Sequence, residues 1–223
     1  MGLFGNLFKG NEGTGYQKTV SQAGSQTIPT PVTPTSGATL NLTKGNVLDL
    51  SKQAPGLVNM RVAAGWDMVN HGDDYDLDLC AFLLGENGRL VKSCNSCVYY
   101  GEKKSSGIHL DKDNLTGEGD GDDENIYVNL PKIPSDVTKI VFAVVIYNAG
   151  VFKTFGKVKN AFVRLVNTDQ RDAEICRYNL TEDGGNNTAV IFAELYKYGG
   201  NWNFKAVGEL CKASISDLKR KFS

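Results

Sequence analysis

Hydrophobic and polar residues alternate through much of the chain after residue 37, with the two-residue period of β-strands. Met60 and Val62, for example, alternate with Asn59 and Arg61. Segments of this kind, rich in β-branched and aromatic residues, predict strands at 39–42, 58–62, 126–130, 139–146, 161–166, 173–180, 188–198 and 202–207. Turn signals rich in Gly and Asn separate these segments. We therefore expect an all-β fold, a β-sandwich.

The two ends of the chain have different patterns. Residues 9–37 are rich in Gly, Ser, Thr, Gln and Pro, which predicts a flexible linker. The segment before it has apolar residues at helical spacing, and these could dock on a partner or a membrane surface, or belong to an unstructured end: Leu3, Phe4, Leu7 and Phe8. Helical spacing recurs at Leu210, Ile215, Leu218 and Phe222. We expect an N-terminal arm (1–37), a β-sandwich domain (38–209) and a short amphipathic C-terminal helix (210–223).

The charge balance argues against a nucleic-acid partner. The 223 residues include 24 basic and 25 acidic side chains, and the formal net charge is −1. Proteins that bind nucleic acid electrostatically carry a basic excess. No run approaches the ~18 apolar residues of a membrane-spanning helix, and the first residues lack the pattern of a secretory signal. We therefore expect a cytoplasmic protein that does not bind nucleic acid.

Five cysteines are present, and two of them form a C-x-x-C motif at Cys94 and Cys97. An odd number of cysteines without an export signal fits a reducing compartment. A redox pair commonly lies where a strand leads into a helix, whereas the residues after Cys97 favour extended chain. A zinc site would need two more ligands, and the chain has only His71 and His109 to offer besides its other cysteines and acids. Redox or zinc function is therefore the less favoured interpretation.

The segment 113–124 interleaves carboxylates with the glycines Gly117, Gly119 and Gly121. Crowded carboxylates repel one another unless a cation lies among them, and glycines allow the backbone to turn sharply. Calcium takes ~6–8 oxygen ligands from carboxylates, amides and carbonyls. The segment therefore predicts a calcium-binding loop. It is not an EF-hand, because a loop starting at Asp120 has Asn125 at the position that requires glycine.

A second acidic cluster precedes this loop and ends in Asp76-Leu77-Asp78-Leu79. Because side chains alternate across a strand, Asp76 and Asp78 project from one face. Leu77 and Leu79 then face a core on the other side. Two carboxylates on one face could form half of a cation site, and the later loop could supply the rest. A solvated acidic turn is the alternative, above all for Asp73 and Asp74.

The acidic loop from Asp113 resembles the signature of the TerD family of tellurium-resistance and stress-response proteins. The resemblance continues in order over about residues 38–208, through Gly65-Trp66-Asp67, Asp76-Leu77-Asp78, Ile133-Pro134, Lys139-Ile140-Val141-Phe142, Phe155-Gly156-Lys157-Val158, Asn160-Ala161-Phe162-Val163-Arg164, Glu174-Ile175-Cys176-Arg177-Tyr178, Ile191-Phe192-Ala193-Glu194-Leu195-Tyr196, Trp202 and Lys205-Ala206-Val207-Gly208. It implies a β-sandwich that binds two calcium ions near one end, between the two acidic regions. It also implies a bacterial or phage stress response to tellurite, oxidants, phage or colicins, with no established catalytic activity. Members of the family are thought to act in complexes near the inner membrane.

Carried over residue by residue, the resemblance implies a set of metal ligands. Asp67 is the weakest of them, and some of these acids must face solvent. The predicted metal-binding residues are Asp67, Asp76, Asp78, Asp113, Asn114, Glu118, Asp120, Asp122, Asp123 and Glu124. Ligation by oxygen alone favours calcium over zinc or copper, and magnesium seldom uses all-protein cages.

The chain departs from the family pattern at three places. Lys112 stands where the family tends to have glycine, which places a cation beside the predicted site. Tyr147-Asn148 stands where a His-Asp pair is frequent. The N-terminal arm lies outside the shared domain, so no role can be carried over to it.

These observations predict a non-enzymatic calcium-binding module of a bacterial or phage stress response, which acts through calcium-ordered loops and other stress-response proteins. One alternative is a calcium-dependent adaptor at the inner membrane, in peripheral contact through residues 3–8. A metal-dependent hydrolase is less favoured, because the chain has no nucleophile elbow, phosphate-binding glycine loop or histidine motif.

Overall fold

The computed structural model describes residues 39–68, 75–111 and 121–223 of the chain. These residues form thirteen strands and two α-helices: β1 (Leu40–Leu42), β2 (Val47–Asp49), α1 (Leu50–Gln53), β3 (Asn59–Met68), β4 (Leu77–Leu84), β5 (Cys97–Val98), β6 (Lys104–Ser105), β7 (Ile108–Leu110), β8 (Glu124–Asn129), β9 (Lys139–Ile146), β10 (Val158–Asn167), β11 (Ala173–Asn179), β12 (Ala189–Tyr198), β13 (Asn201–Cys211) and α2 (Ile215–Phe222). Short 3₁₀ turns lie at Leu130–Lys132, Phe155–Lys157 and Thr168–Gln170.

The strands form two sheets. The seven-stranded sheet has the order β1-β11-β10-β3-β8-β7-β6, and the six-stranded sheet has the order β2-β13-β12-β9-β4-β5. The described pairs are antiparallel except for β1 with β11, which is parallel. The predicted β-sandwich is confirmed.

A large hydrophobic core lies between the sheets, and a smaller one lies on the outer face of the six-stranded sheet. Strand β4 contributes to both, because Leu77 and Leu79 belong to the first cluster whereas Cys80 and Phe82 belong to the second. All eight residues of β4 are consequently buried. This two-sided burial explains why β4 and β9 are almost continuously apolar instead of alternating.

Helix α2 covers the smaller core. Its Leu218 is buried there, and the Phe222 ring lies 5.2 Å from the Phe82 ring. A capping box between Ser214 and Asp217 fixes the start of the helix. The sequence pattern placed this start at residue 210, but Leu210 lies in β13, which continues to Cys211. The strand is longer because Leu210 pairs with Val190 of β12.

Two further features concern the ends of the domain. The short helix α1 was not predicted; Asp49 caps it by accepting a hydrogen bond from the Ser51 N–H at 3.0 Å. The predicted N-terminal arm (1–37) lies outside the described residues. In the part of the chain that the structure describes, no helix has the length and apolar character needed to cross a membrane.

Candidate metal site

The predicted metal-binding residues that the structure describes lie at one end of the sandwich: Asp67, Asp76, Asp78, Asp122, Asp123 and Glu124. Strand β4 begins directly after Asp76, and β8 begins with Glu124. The two strands belong to different sheets. We call Asp76, Asp78 and Glu124 the inter-sheet acidic group.

Asp78 is only 2% exposed, while Leu77 and Leu79 on either side of it are fully buried in the core between the sheets. The prediction that the two leucines face the core is confirmed. The backbone of Asp76 is fixed by the Tyr147 N–H, which donates to the Asp76 carbonyl at 2.8 Å. The start of β4 is thus held to the end of β9.

Glu124 is fully buried and lies on the same face of β8 as Ile126 and Val128. Its Oε2 accepts a hydrogen bond from the Leu79 N–H at 2.5 Å. The Glu124 carboxylate therefore accepts the hydrogen bond that a backbone carbonyl of a neighbouring strand would otherwise accept from Leu79, and it links the two sheets. Such a link brings a carboxylate from one sheet to the strand that carries Asp78 in the other.

The charges of these carboxylates raise the pKa values of two neighbouring side chains. Burial raises the pKa of the Cys80 thiol, and the negative charges of Asp78 and Glu124 raise it further. The pKa of the Tyr100 phenol is raised by burial and then by the charges of Asp78 and Asp76. Asp78 raises the pKa of both Cys80 and Tyr100, while Glu124 and Asp76 each raise the pKa of one of them. This pattern is expected if the three carboxylates lie close together.

Asp122 lies in different surroundings, on the outer face of the seven-stranded sheet. Its Oδ2 accepts from Arg61 Nη1 at 2.6 Å and from Arg164 Nη2 at 2.7 Å, and its Oδ1 accepts from Arg164 Nε at 2.7 Å. Arg164 also donates to Glu174 at 2.8 Å. We call Arg61, Asp122, Arg164 and Glu174 the arginine–carboxylate network. Since guanidinium groups occupy both Asp122 oxygens, this predicted ligand would have to leave them to bind a metal.

Asp123 and Asp67 are both held by hydrogen bonds close to β3. Asp123 Oδ2 accepts from the Trp66 N–H at 2.8 Å, and Asp67 Oδ2 accepts from Asn160 Nδ2 at 2.6 Å. Burial raises the pKa of Asp123 to about 6, opposed by the Trp66 hydrogen bond and assisted by the charges of Asp67 and Asp122. A carboxyl with such a pKa binds a cation more readily above pH 6 than below it.

The remaining predicted ligands lie outside the described residues: Asp113, Asn114, Glu118 and Asp120. In the ranges that the structure describes, no group of three or more His, Cys, Asp or Glu side chains is arranged to hold a metal ion. The described acids by themselves therefore do not form a metal site, and the predicted ligand set stays a prediction.

Comparisons with known proteins identify the family of the chain. A TerD domain matches residues 38–222. The tellurium resistance protein TerD of Serratia marcescens is 45% identical over 174 residues, which cover 76% of this chain and 90% of that protein. The chain belongs to the TerD family.

Other relatives and solved structures extend the comparison. General stress protein 16U of Bacillus subtilis is 43% identical over 176 residues, covering 76% of this chain and 90% of that protein. The crystal structure of a homologue of telluride resistance protein (TerD) from Streptomyces coelicolor has a TM-score of 0.59 at 22% identity, covering 71% of this chain and 93% of that one. This structural likeness supports the fold.

Tyr147-Asn148, where the resemblance led us to expect a His-Asp pair, lies beside the inter-sheet acidic group, because the Tyr147 N–H donates to the Asp76 carbonyl. The Tyr147 ring packs edge-on against Tyr100 with centroids 5.4 Å apart, and Tyr100 packs in the same way against Tyr99 at 5.1 Å. Asn148 adopts a left-handed backbone conformation with φ of 44°. The replacement therefore places an aromatic row next to Asp76 and Asp78.

The C-x-x-C motif has a structural setting. Asn95 Nδ2 donates to the carbonyls of Cys97 and Lys104, both at 3.0 Å, and so joins the turn to β6. Burial raises the pKa of the Cys97 thiol to about 11, partly offset by Lys219. Redox cysteines have lowered pKa values, so this shift is in the opposite direction. His109, one of the two histidines considered for zinc, stacks on Tyr127 at 5.2 Å.

Sequence reasoning missed the arginine partners of Asp122 and the aromatic row. A signal existed for Arg61, because it alternates with the buried Met60 and Val62 and so had to lie on the outer face of β3. No pattern in the sequence paired it with Asp122, since that contact joins residues 61 positions apart.

Proposed function

We propose that this TerD-family chain is a non-enzymatic calcium-binding module of a bacterial or phage tellurite or general stress response. The observation that carries the proposal is the inter-sheet acidic group. Asp78 and Glu124 come from different sheets and lie almost completely buried, and Glu124 accepts a hydrogen bond from Leu79, the residue after Asp78. The two ions, the protein partners and the absence of catalysis are part of the proposal.

Burial of carboxylates supports a cation at this place. Moving an ionised carboxylate out of water costs free energy unless charge or hydrogen bonds offset the loss. A divalent cation offsets it for several carboxylates at once, and oxygen ligands favour calcium. Asp76, Asp78 and Glu124 would be the ligands from the sandwich, and we propose that residues 113–120 supply the rest.

The position of the group suggests what calcium does. Glu124 follows the acidic loop directly, and Asp76 and Asp78 begin β4. A cation bound to all three would tie the loop to both sheets. Calcium would then stabilise the folded domain by mass action, by about 2.7 kcal/mol when free calcium is ~100 times its dissociation constant. The ordered loop would present a surface to other stress-response proteins.

Isothermal calorimetry of the full chain, stripped with chelator, tests the proposal. We expect calcium to bind with a stoichiometry of two ions and magnesium to bind far more weakly. The variant Asp78→Asn should lose at least one of these ions. The matched variant Asp183→Asn changes an acid that lies in the turn between β11 and β12, and it should bind calcium as the unmodified chain does.

Terbium provides a second readout, because Tb³⁺ binds oxygen sites like those of calcium and emits when a nearby tyrosine is excited. Tyr100 packs against Tyr147, whose N–H donates to the Asp76 carbonyl, so Tyr100 is the candidate donor. We expect Tb³⁺ emission that calcium displaces and that Tyr100→Phe weakens without loss of calcium affinity. Absence of calcium binding in calorimetry, together with absence of displaceable emission, would refute the proposed function.

A further inference from the structure

The loop between β9 and β10 exposes two neighbouring apolar side chains. Val151 and Phe152 are each 82% exposed, the highest values for large hydrophobic residues in the described parts of the chain. Exposure of adjacent aromatic and branched side chains to water is unfavourable in free energy compared with their burial. We call Val151 and Phe152 the apolar tip.

The apolar tip is held outward by hydrogen bonds at its base. Tyr75 Oη donates to the Phe152 carbonyl at 3.4 Å and accepts from the Thr154 N–H at 3.1 Å. The Lys153 N–H donates to the Ala149 carbonyl at 3.1 Å. The tip is therefore part of a fixed turn, and its exposure is built into the fold.

A cleft of about 710 Å³ lies beside the tip, and two lysines line it, Lys153 and Lys212. Lys212 is exposed and makes no ion pair with any residue that the structure describes. Asp217, the acid of the cleft, caps α2 through Ser214 and contacts Arg220. Thr154, Thr188 and Ser214 also line the cleft, where the Thr188 hydroxyl donates to the Ala213 carbonyl and the Ser214 hydroxyl donates to Asp217. The lysines thus supply the positive charge and the N–H donors that suit a phosphate group.

We infer that this end of the domain docks on a bilayer that contains anionic phospholipid. The apolar tip enters the boundary between headgroups and acyl chains, and a lipid phosphate binds in the cleft at Lys212. Apolar side chains flanked by lysine are the combination that binds membrane interfaces. A tip of two residues gives weak, reversible attachment, which is suited to regulation.

Calcium should strengthen this attachment. Tyr75, which fixes the tip, directly precedes Asp76, so the tip and the inter-sheet acidic group lie at the same end of the sandwich. The negative charge of these acids repels an anionic surface unless a cation neutralises it. The calcium dependence rests on the proposed function, whereas insertion of the tip does not.

The variant Phe152→Trp of the full chain provides a direct readout. We expect its tryptophan emission to shift to shorter wavelength with vesicles of phosphatidylcholine and phosphatidylglycerol, and to be quenched by brominated acyl chains. Vesicles of phosphatidylcholine alone should give a smaller shift. The unmodified chain, whose Trp66 is buried and whose Trp202 lies in β13, supplies the background.

The double variant Val151→Ser/Phe152→Ser tests the tip by vesicle pelleting. We expect binding at least about tenfold weaker, because the apolar area that enters the bilayer is lost. Its melting temperature should be unchanged, since both side chains are exposed. Lys212→Gln should weaken binding only to vesicles that contain phosphatidylglycerol.

Tyr198→Ser is the matched control. Tyr198 is 77% exposed, but it follows the part of β12 that pairs with Lys139 at the start of β9, so it lies at the opposite end of the sandwich. Its replacement should leave vesicle binding intact. A second control, Leu7→Ser/Phe8→Ser, tests the N-terminal arm.

The outcomes separate the two proposals. Vesicle binding that survives loss of the tip, or that only the N-terminal variant abolishes, would overturn the inference. So would a Phe152→Trp emission that responds to a protein partner but never to vesicles. Insertion that depends on the tip in a chain that fails to bind calcium would refute the proposed function and leave this inference standing.

Discussion

Asp122 and Glu124 are two residues apart, yet their carboxylates serve opposite sides of one sheet. Asp122 lies on the outer face, where Arg61 and Arg164 neutralise its charge. Glu124 lies between the sheets, where it accepts a hydrogen bond from Leu79 of the opposing sheet. An acidic run is therefore not one site. The neighbours that the fold brings to each carboxylate decide whether it acts as an internal counter-ion or as a candidate ligand.

The backbone before β8 creates this difference. Gly121 has φ of 112°, a conformation that favours glycine. At Gly65 of β3, an added Cβ would lie 2.4 Å from the Gly121 carbonyl oxygen. The Asp123 N–H then donates to the Ala64 carbonyl at 2.9 Å. This close passage over β3 lets Asp122 reach the outer face before regular alternation begins at Glu124.

The largest effect on stability is expected from Asp122→Asn, which disrupts the arginine–carboxylate network on the outer face of the seven-stranded sheet. This change removes the carboxylate charge nearest Arg61, whose side chain is 11% exposed, and leaves it Asp172 at 3.8 Å and Asn125 Oδ1 at 2.6 Å. Because removing the close partner of a largely buried ion pair leaves the remaining charge poorly compensated, we expect a loss of about 3 kcal/mol in the free energy of unfolding. Urea titration measures this loss.

Calcium provides the control for that prediction. The same loss should occur in calcium and in chelator, because the arginine–carboxylate network would not be part of the ion site. A loss seen only in calcium would mean that Asp122 exchanges its arginines for the metal, as its place among the sequence-predicted ligands requires.

The second-largest effect on stability is expected from variants of the inter-sheet acidic group. Unlike the effect of Asp122→Asn, it should depend on calcium. In chelator, Glu124→Gln and Asp78→Asn should lower the free energy of unfolding less than they do in calcium, because each removes a buried negative charge while keeping the shape of the side chain. In calcium at ~100 times the dissociation constant, each should lose the increment of about 2.7 kcal/mol that the ion supplies. Thermal unfolding with and without chelator measures the difference.

Glu194→Gln is the control for these variants. Glu194 pairs with Lys139 at 3.4 Å, far from the start of β4. Its replacement should leave the calcium increment unchanged. An equal loss of that increment in all three variants would show that calcium acts through overall charge and not through the inter-sheet acidic group.

The sequence allowed prediction of more of the fold than of the site. Strand β9 was predicted with its observed bounds, because its apolar residues are buried whichever face they occupy. Helix α2 was predicted with a start that was too early, since Leu210 suits either a helix face or a paired strand edge, and only pairing with Val190 decides. Within the site, the alternation of Asp76 and Asp78 with buried leucines was predictable from local geometry.

The division between Asp122 and Glu124 was not predictable in this way. It depends on contacts with Arg61, Arg164 and Leu79, which lie 61, 42 and 45 positions away along the chain. Local spacing carries no information on such distant pairs, so all the acids of the loop had equal standing as ligands. Their assignment as calcium ligands stays a prediction.

The smallest effect on stability should come from Glu174→Gln, which allows the two carboxylates of the arginine–carboxylate network to be compared. Glu174 is 18% exposed and contacts Arg164 through a single pair at 2.8 Å, whereas Asp122 is 7% exposed and binds two arginines. Because Arg164 keeps Asp122 as a partner, we expect a loss below about 1 kcal/mol, equal with and without calcium. In the double variant with Asp122→Asn, the two losses should not add, since both act on Arg164. If Glu174→Gln lowered the free energy of unfolding as much as Asp122→Asn does, both carboxylates would stabilise the arginines equally. The deeper burial of Asp122 would then not increase its contribution to stability.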